Sequence, residues 1–216
     1  MRYFFLAIGF STLLVSCKLM KKEEGESSIT NNKNQKSMMN RFKPVEWAHN
    51  TNVYEVNVRQ YTQEGTFNAF AKELPRLKDM GVQTLWFMPV TPIAQKNMKG
   101  TMGSYYACSD YTSINPEFGT LDDFKRLVKQ AHDMGFKVII DWVANHTGWD
   151  HVWTNEHPDY FEMDTATNDF KIASGMDDII ELDFNNAALR KAMIDAMKFW
   201  VTECDIDGFR CDLAFW

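Results

Sequence analysis

Residues 120–146 read TLDDFKRLVKQAHDMGFKVIIDWVANH. Thr120 and Asp123 stand three apart, the spacing of a capping box, in which each side chain takes up an orphan backbone N–H of the other residue. Behind them Leu121, Phe124, Leu127 and Ala131 recur at helical spacing, which predicts a helix with one apolar stripe. Asp133-Met134-Gly135 ends it, because glycine takes the left-handed cap without a Cβ penalty. An apolar strand, Phe136–Val143, follows at once.

Working outward, the same unit recurs on both sides. Thr66–Met80 carries Phe67, Phe70, Leu74 and Leu77 at helical spacing, then Gly81 and the strand-like Val82–Met88. Pro75 inside that helix removes an internal hydrogen bond, so the helix is expected to kink or restart there. Ala187–Glu203 carries Leu189, Met193, Ala196 and Trp200 and runs through Asp207-Gly208 into Phe209–Leu213. With Asn52–Val58 in front, four strands alternate with three helices. Strands separated by helices run parallel with right-handed crossovers.

An open doubly wound sheet and a closed (β/α)₈ TIM barrel both begin this way. Polar residues decide between them, since barrel chemistry collects at the C-terminal ends of the strands. Asn57 and Arg59 end the first strand, Asp141, Asn145 and His146 the third, and Arg210 and Asp212 the fourth. No glycine-rich phosphate loop follows the first strand, which argues against a nucleotide-binding sheet. The expected fold class is α/β, a TIM barrel of which the chain holds the first four strands and three helices.

Composition bounds the function. The 216 residues hold 29 acidic and 23 basic side chains, a net charge of −6, with no Lys/Arg run longer than two; nucleic acid is not an expected partner. Apolar residues make up 45%, enough for a core and against wholesale disorder. None of the four cysteines forms a CxxC pair, so neither a zinc site nor a disulfide framework is indicated.

Two constellations carry chemistry. In Phe209-Arg210-Cys211-Asp212 strand alternation puts Arg210 and Asp212 on one face. A carboxylate beside a guanidinium is held ionised near neutral pH, which suits a nucleophile or an electrostatic stabiliser better than a general acid. An ordinary Arg–Asp pair on an edge strand reads the same way. Asp141-Trp142-Val143-Ala144-Asn145-His146 adds a carboxylate at a strand end, then an amide and an imidazole in the loop.

Together these segments resemble the α-amylase family of retaining glycoside hydrolases. Asp-x-Val-x-Asn-His at Asp141–His146 is similar to that family's first signature, and Gly208-Phe209-Arg210-Cys211-Asp212 to its second. Gly81–Val90 resembles its second-strand segment. Ser104-Tyr105-Tyr106 through Asp110-Tyr111 and Asn115–Thr120 resembles the loop that follows. The similarity runs from about Trp47 to Trp216, in order.

Position by position, the resemblance implies Asp212 as nucleophile, Arg210 as the arginine that orients it, and Asp141 as a structural carboxylate beside that arginine. His146 is expected to bond a sugar hydroxyl, and Tyr106 to stack on the same sugar. Asn145 falls at a calcium ligand of many members, and Glu181, within Ile180-Glu181-Leu182-Asp183, where the family commonly has a second, aspartate ligand. Calcium is therefore the expected cofactor. The stretch 142–185 corresponds to a small extra subdomain after the third strand, and within it His151, His157 and Asp159 read as solvated surface. Several amylases carry Lys-His where this chain has Phe215 and Trp216. The expected substrate is an α-glucan or maltooligosaccharide; transglycosylase or isomerase activity, or a sugar-binding barrel that has lost catalysis, are the alternatives.

A complete barrel of this kind needs about 250 residues. The family's acid/base glutamate follows its fifth strand, and a second aspartate with a histidine follows its seventh. The chain over 41–216 is accordingly expected to be the N-terminal half of a catalytic barrel, inactive alone.

The N-terminal 17 residues read as an export signal: Arg2, then the apolar Tyr3–Val15, then Ser16. The order Leu14-Val15-Ser16-Cys17 resembles a bacterial lipobox, which implies a lipid on Cys17 and a membrane partner through that anchor. Residues 18–40 are rich in Lys, Glu, Ser and Asn and read as a tether. The expected location is the cell envelope, at the outer membrane or cell surface.

Overall fold

Gly81 and Gly135 both adopt φ +82°, the left-handed conformation that lets a helix stop and a strand begin within three or four residues. These two corners set the architecture of the computed structural model, which describes residues 44–214. The readings for residues 1–17, for the tether 18–40 and for Phe215 and Trp216 lie outside the described residues. Thr51–Trp216 forms one unit. Residues 44–50, assigned to the other, carry a 3₁₀ turn at Glu46–Asn50.

In chain order the unit contains β1 (Val53–Val56), α1 (Phe67–Phe70), α2 (Leu74–Asp79), β2 (Thr84–Phe87), α3 (Leu121–Asp133) and β3 (Lys137–Val143). A long excursion follows with β4 (His146–Gly148), β5 (Met163–Asp164), β6 (Asp169–Phe170) and β7 (Ile179–Glu181). Then come α4 (Ala187–Cys204) and β8 (Gly208–Asp212). The helix expected over 66–80 is broken: a 3₁₀ turn at Ala71–Glu73 separates α1 from α2, and Pro75 sits in the first turn of α2, where its missing N–H costs nothing. Thr120 and Asp123 form the full capping box of α3. The first strand is shorter than expected, and Val58 opens a helical turn, Val58–Tyr61, instead of ending β1.

β1, β2, β3 and β8 form one parallel sheet in that order. Each new strand joins the same edge. A doubly wound sheet reverses strand order at its switch point, whereas a barrel adds strands in sequence, as here. Leu85, Phe87, Val138, Ile140 and Trp142 face the helices and meet Phe67, Phe70, Leu77, Phe124 and Trp200, all essentially buried. Phe124 centres the helix layer, with ring centroids 5.1 Å from Phe67, 6.0 Å from Phe87 and 5.9 Å from Trp200. Each such ring contributes roughly 1.5–3 kcal/mol by burial. Asp207 ties α3 to the sheet: its carboxylate accepts from Val138 N–H at 2.8 Å, Lys137 Nζ at 2.6 Å and His132 Nε2 at 2.8 Å.

In the excursion β4 pairs antiparallel with β7 and β5 with β6. His157 and Asp159 are exposed there, but His151 is not: it is 0% exposed. Its ring packs against Tyr111 and Trp153, with centroids 4.9 Å from each. Nδ1 accepts the Trp153 N–H at 3.1 Å, so the neutral ring carries its proton on Nε2, which has no partner. Burial pushes the His151 pKa down to about 4. With the folded value below the unfolded one, the unfolded chain takes up the proton first, so stability is lost as pH falls from about 6.5 towards 4. The loss for this group amounts to about 3 kcal/mol. His151→Asn, which keeps an acceptor for Trp153, is expected to flatten this acid limb in urea denaturation between pH 7.5 and 4; an unchanged pH slope would remove His151 as its origin.

Candidate active site

The C-terminal ends of β3 and β8 meet in register, with Asp141 opposite Arg210 and Val143 opposite Asp212. Parallel pairing puts Asp141, Arg210 and Asp212 on the sheet face opposite the helices. One guanidinium nitrogen joins them: Arg210 Nη1 donates to Asp141 Oδ1 at 3.0 Å and Oδ2 at 3.2 Å, and to Asp212 Oδ1 at 2.7 Å. The Asp141 side chain is fully buried and that of Asp212 is 17% exposed. Burial pushes the Asp141 carboxyl above the ordinary carboxylate range, although Arg210 opposes it. For Arg210 burial works downward, but the bonds to Asp141 and Asp212 outweigh it and the guanidinium is held more firmly charged.

Tyr106 Oη donates to Asp141 Oδ2 at 3.3 Å. Burial and then the charges of Asp141 and Asp212 raise its pKa to about 12, so the phenol stays protonated. Its hydroxyl is thereby tied to the carboxylate cluster, alongside the ring-stacking role expected of it. The preceding residue anchors the loop: Tyr105 Oη donates to Asn57 Oδ1 at 3.2 Å, and the Arg59 guanidinium lies 4.6 Å over the Tyr105 ring while pairing with Glu117 at 2.7 Å. Asn57, just past β1, and Arg59, in the helical turn that follows, thus hold the loop that carries Tyr106.

His146 is 2% exposed, and neither ring nitrogen has a well-formed hydrogen bond among the described residues. Burial lowers its pKa, against an upward pull from the Tyr106 backbone and the Asp212 charge, so the ring is neutral at pH 7. An unsatisfied buried polar group costs about 1–3 kcal/mol, which a ligand hydroxyl could recover.

Two contributors escaped the sequence reading. Trp86 on β2 lies under Arg210, guanidinium to ring centroid 4.8 Å. Alternation was the available signal, since Leu85 and Phe87 face the helices and Trp86 must face the carboxylates. Tyr111, fully inside, donates through Oη to Val143 O at 2.8 Å and His146 O at 3.1 Å, fixing the turn that carries Asn145 and His146. Trp200 Nε1 in turn donates to Tyr111 O at 2.7 Å.

The expected calcium ligands are not brought together as a cage. Asn145 Oδ1 suits a hard cation, being buried with no hydrogen-bond partner. It lines a pocket of about 300 Å³ with Glu162 and Glu181. Glu181 does not present a free carboxylate there: its Oε2 pairs with Lys171 Nζ at 2.9 Å, and the same ammonium pairs with Glu162 Oε2 at 2.6 Å. Among the described residues no group of three or more His, Cys, Asp or Glu side chains converges as a metal site. Cys17, the expected lipid site, lies outside the described residues.

A family model described as alpha amylase, catalytic domain, matches residues 28–172 and 159–215. Alpha-amylase 3 of Dictyoglomus thermophilum is 29% identical over 193 residues, covering 78% of this chain and 37% of that protein. An α-1,4-glucan:maltose-1-phosphate maltosyltransferase of Rhodospirillum rubrum is 34% identical over 184 residues, covering 74% of this chain and 26% of its own length. Among solved structures, an α-amylase from Lactobacillus plantarum superposes with a TM-score of 0.72 at 42% identity, over 75% of this chain and 38% of that one. The chain thus spans about a quarter to two-fifths of the length of these relatives.

Proposed function

Because the chain belongs to the α-amylase family, we propose that the protein acts on α-glucans or maltooligosaccharides with retention of configuration, with Asp212 as the nucleophile. The observation that supports this is the Arg210 bridge. It engages Oδ1 of Asp212 and leaves Oδ2 to attack an anomeric carbon, while the fully buried Asp141 fixes the guanidinium from the other side. In the first step the Asp212 oxygen forms a bond to that carbon, and the glycosidic C–O bond breaks. The leaving oxygen takes a proton from a second carboxyl group. Asp141 is unsuited to give it, since both its oxygens are held by Arg210 and one also by Tyr106. This reading therefore assigns the proton to a carboxyl group other than Asp141. His146 and Tyr106 flank the carboxylates and offer a neutral imidazole and an aromatic face to a sugar ring.

The acceptor in the second step decides between hydrolase and transferase. Water gives hydrolysis, the reaction of the 42% identical α-amylase; a sugar hydroxyl gives transfer, as in the 34% identical maltosyltransferase. The test is to give the complete gene product maltoheptaose and follow the new anomeric protons by NMR. Early appearance of the α-anomer is expected, and oligosaccharides longer than the substrate would mark transfer. A β-anomer appearing first, or an untouched substrate, would overturn the proposal.

A further inference from the structure

Three residues of the excursion are set side by side by their backbones. Lys171 N–H donates to Glu162 O at 2.9 Å, Glu162 N–H to Glu181 O at 3.0 Å, and Glu181 N–H to Lys171 O at 2.9 Å. Their side chains converge too, with Lys171 Nζ 2.6 Å from Glu162 Oε2 and 2.9 Å from Glu181 Oε2. The two carboxylates share their pocket with the unpartnered Asn145 Oδ1, and Asn145 itself is joined to the next residue of the same strand run, Leu182 N–H donating to Asn145 O at 3.2 Å. Take away the ammonium and the pocket presents two carboxylates and an amide oxygen with no positive charge. Those are hard oxygen donors of the kind Ca²⁺ takes.

We propose that Lys171 supplies from within the chain the positive charge that this pocket requires, so that the Asn145–Glu162–Glu181 site holds its fold without a divalent cation. The proposal rests on these contacts and not on the reading of the activity. Lysine is an ammonium at neutral pH, and Lys171 Nζ donates to the carboxylate of Glu162 while pairing with that of Glu181. Charge and geometry then make Lys171 and a divalent ion alternatives at this pocket. Both would neutralise the same two carboxylates, and a strongly charged ion and an ammonium repel each other at such a distance.

The experiment compares the calcium shift, meaning the melting temperature in excess calcium minus that in chelator, for the complete gene product and three variants. Glu181→Gln is expected to leave the wild-type shift unchanged, because no ion uses that carboxylate while Lys171 is present. Lys171→Met keeps the aliphatic stem and frees the carboxylates. It is expected to melt lower in chelator and to gain a calcium shift of roughly 2–4 °C or more over wild type. Lys171→Arg, which keeps the charge, is expected to behave as wild type. A wild-type calcium shift that Glu181→Gln reduces would overturn the proposal, whether or not Lys171→Met folds. So would a folded Lys171→Met protein whose calcium shift equals that of wild type.

Discussion

Asp212→Asn in the complete gene product is expected to lower kcat on maltooligosaccharides by a factor on the order of 10⁴ or more, with the fold intact. The fold survives for a structural reason. The pairing of Asp212 with Val143 is made by backbone groups, and the asparagine Oδ1 still accepts the Arg210 bond that the carboxylate accepts at 2.7 Å. Arg210 keeps the charge partner it needs in Asp141, so no buried charge is left alone. What disappears is the nucleophile, since an amide oxygen attacks an anomeric carbon far more weakly than a carboxylate. An activated α-glucosyl fluoride separates the two steps. The wild type should yield a glycosylated peptide containing Asp212 by mass spectrometry, and the variant none. Near-wild-type turnover by the asparagine variant would defeat the assignment, and a melting temperature far below wild type would mean that Asp212 serves the fold first.

The part of this site that the sequence makes legible is the part governed by period. Alternation along Gly208–Asp212 puts Arg210 and Asp212 on one face, and the glycines at 81 and 135 mark where strands begin; the sheet has both features. Trp86 was within reach of the same rule, because its neighbours Leu85 and Phe87 are core residues. The excursion has no such period. Its strands are two or three residues long, so nothing along the chain says that Lys171 will lie between Glu162 and Glu181. Nor does anything local say that His151 will be enclosed by Tyr111 and Trp153, of which Tyr111 is forty positions away. Asn57 and Arg59 were legible as polar residues at a strand end, but their use, anchoring Tyr105, depends on a loop folding back across the sheet.

Arg210→Met is expected to remove activity and to cost stability, and the second effect can be traced to one atom pair. Arg210 Nη1 is the only group besides the Tyr106 hydroxyl that bonds the Asp141 carboxylate among the described residues. Methionine fills part of the volume over Trp86 but leaves a carboxylate with 0% side-chain exposure facing a single hydrogen bond at 3.3 Å. Stranding a buried charge costs about 3–5 kcal/mol. Arg210 itself is 38% exposed, so water screens part of the pair, and a loss of about 2–3 kcal/mol is the expectation. The origin can be isolated by neutralising the stranded group. Asp141→Asn in the Arg210→Met background should restore most of the lost stability, a coupling of about 1–3 kcal/mol, while turnover stays absent because Asp212 has lost its orienting partner. The pH dependence provides an independent sign. In wild type the Asp141 pKa already lies above the ordinary carboxylate value through burial, and removing Arg210 raises it further. A folded carboxyl with a raised pKa binds its proton more tightly than the unfolded chain does, so the stability deficit of Arg210→Met should shrink as pH falls through the raised value towards the ordinary carboxylate range. Urea denaturation of the single and double variants between pH 8 and 4 measures both quantities. A deficit that grows on acidification, or one that Asp141→Asn leaves untouched, would place the cost of losing Arg210 in its packing over Trp86 and not in the carboxylate it neutralises.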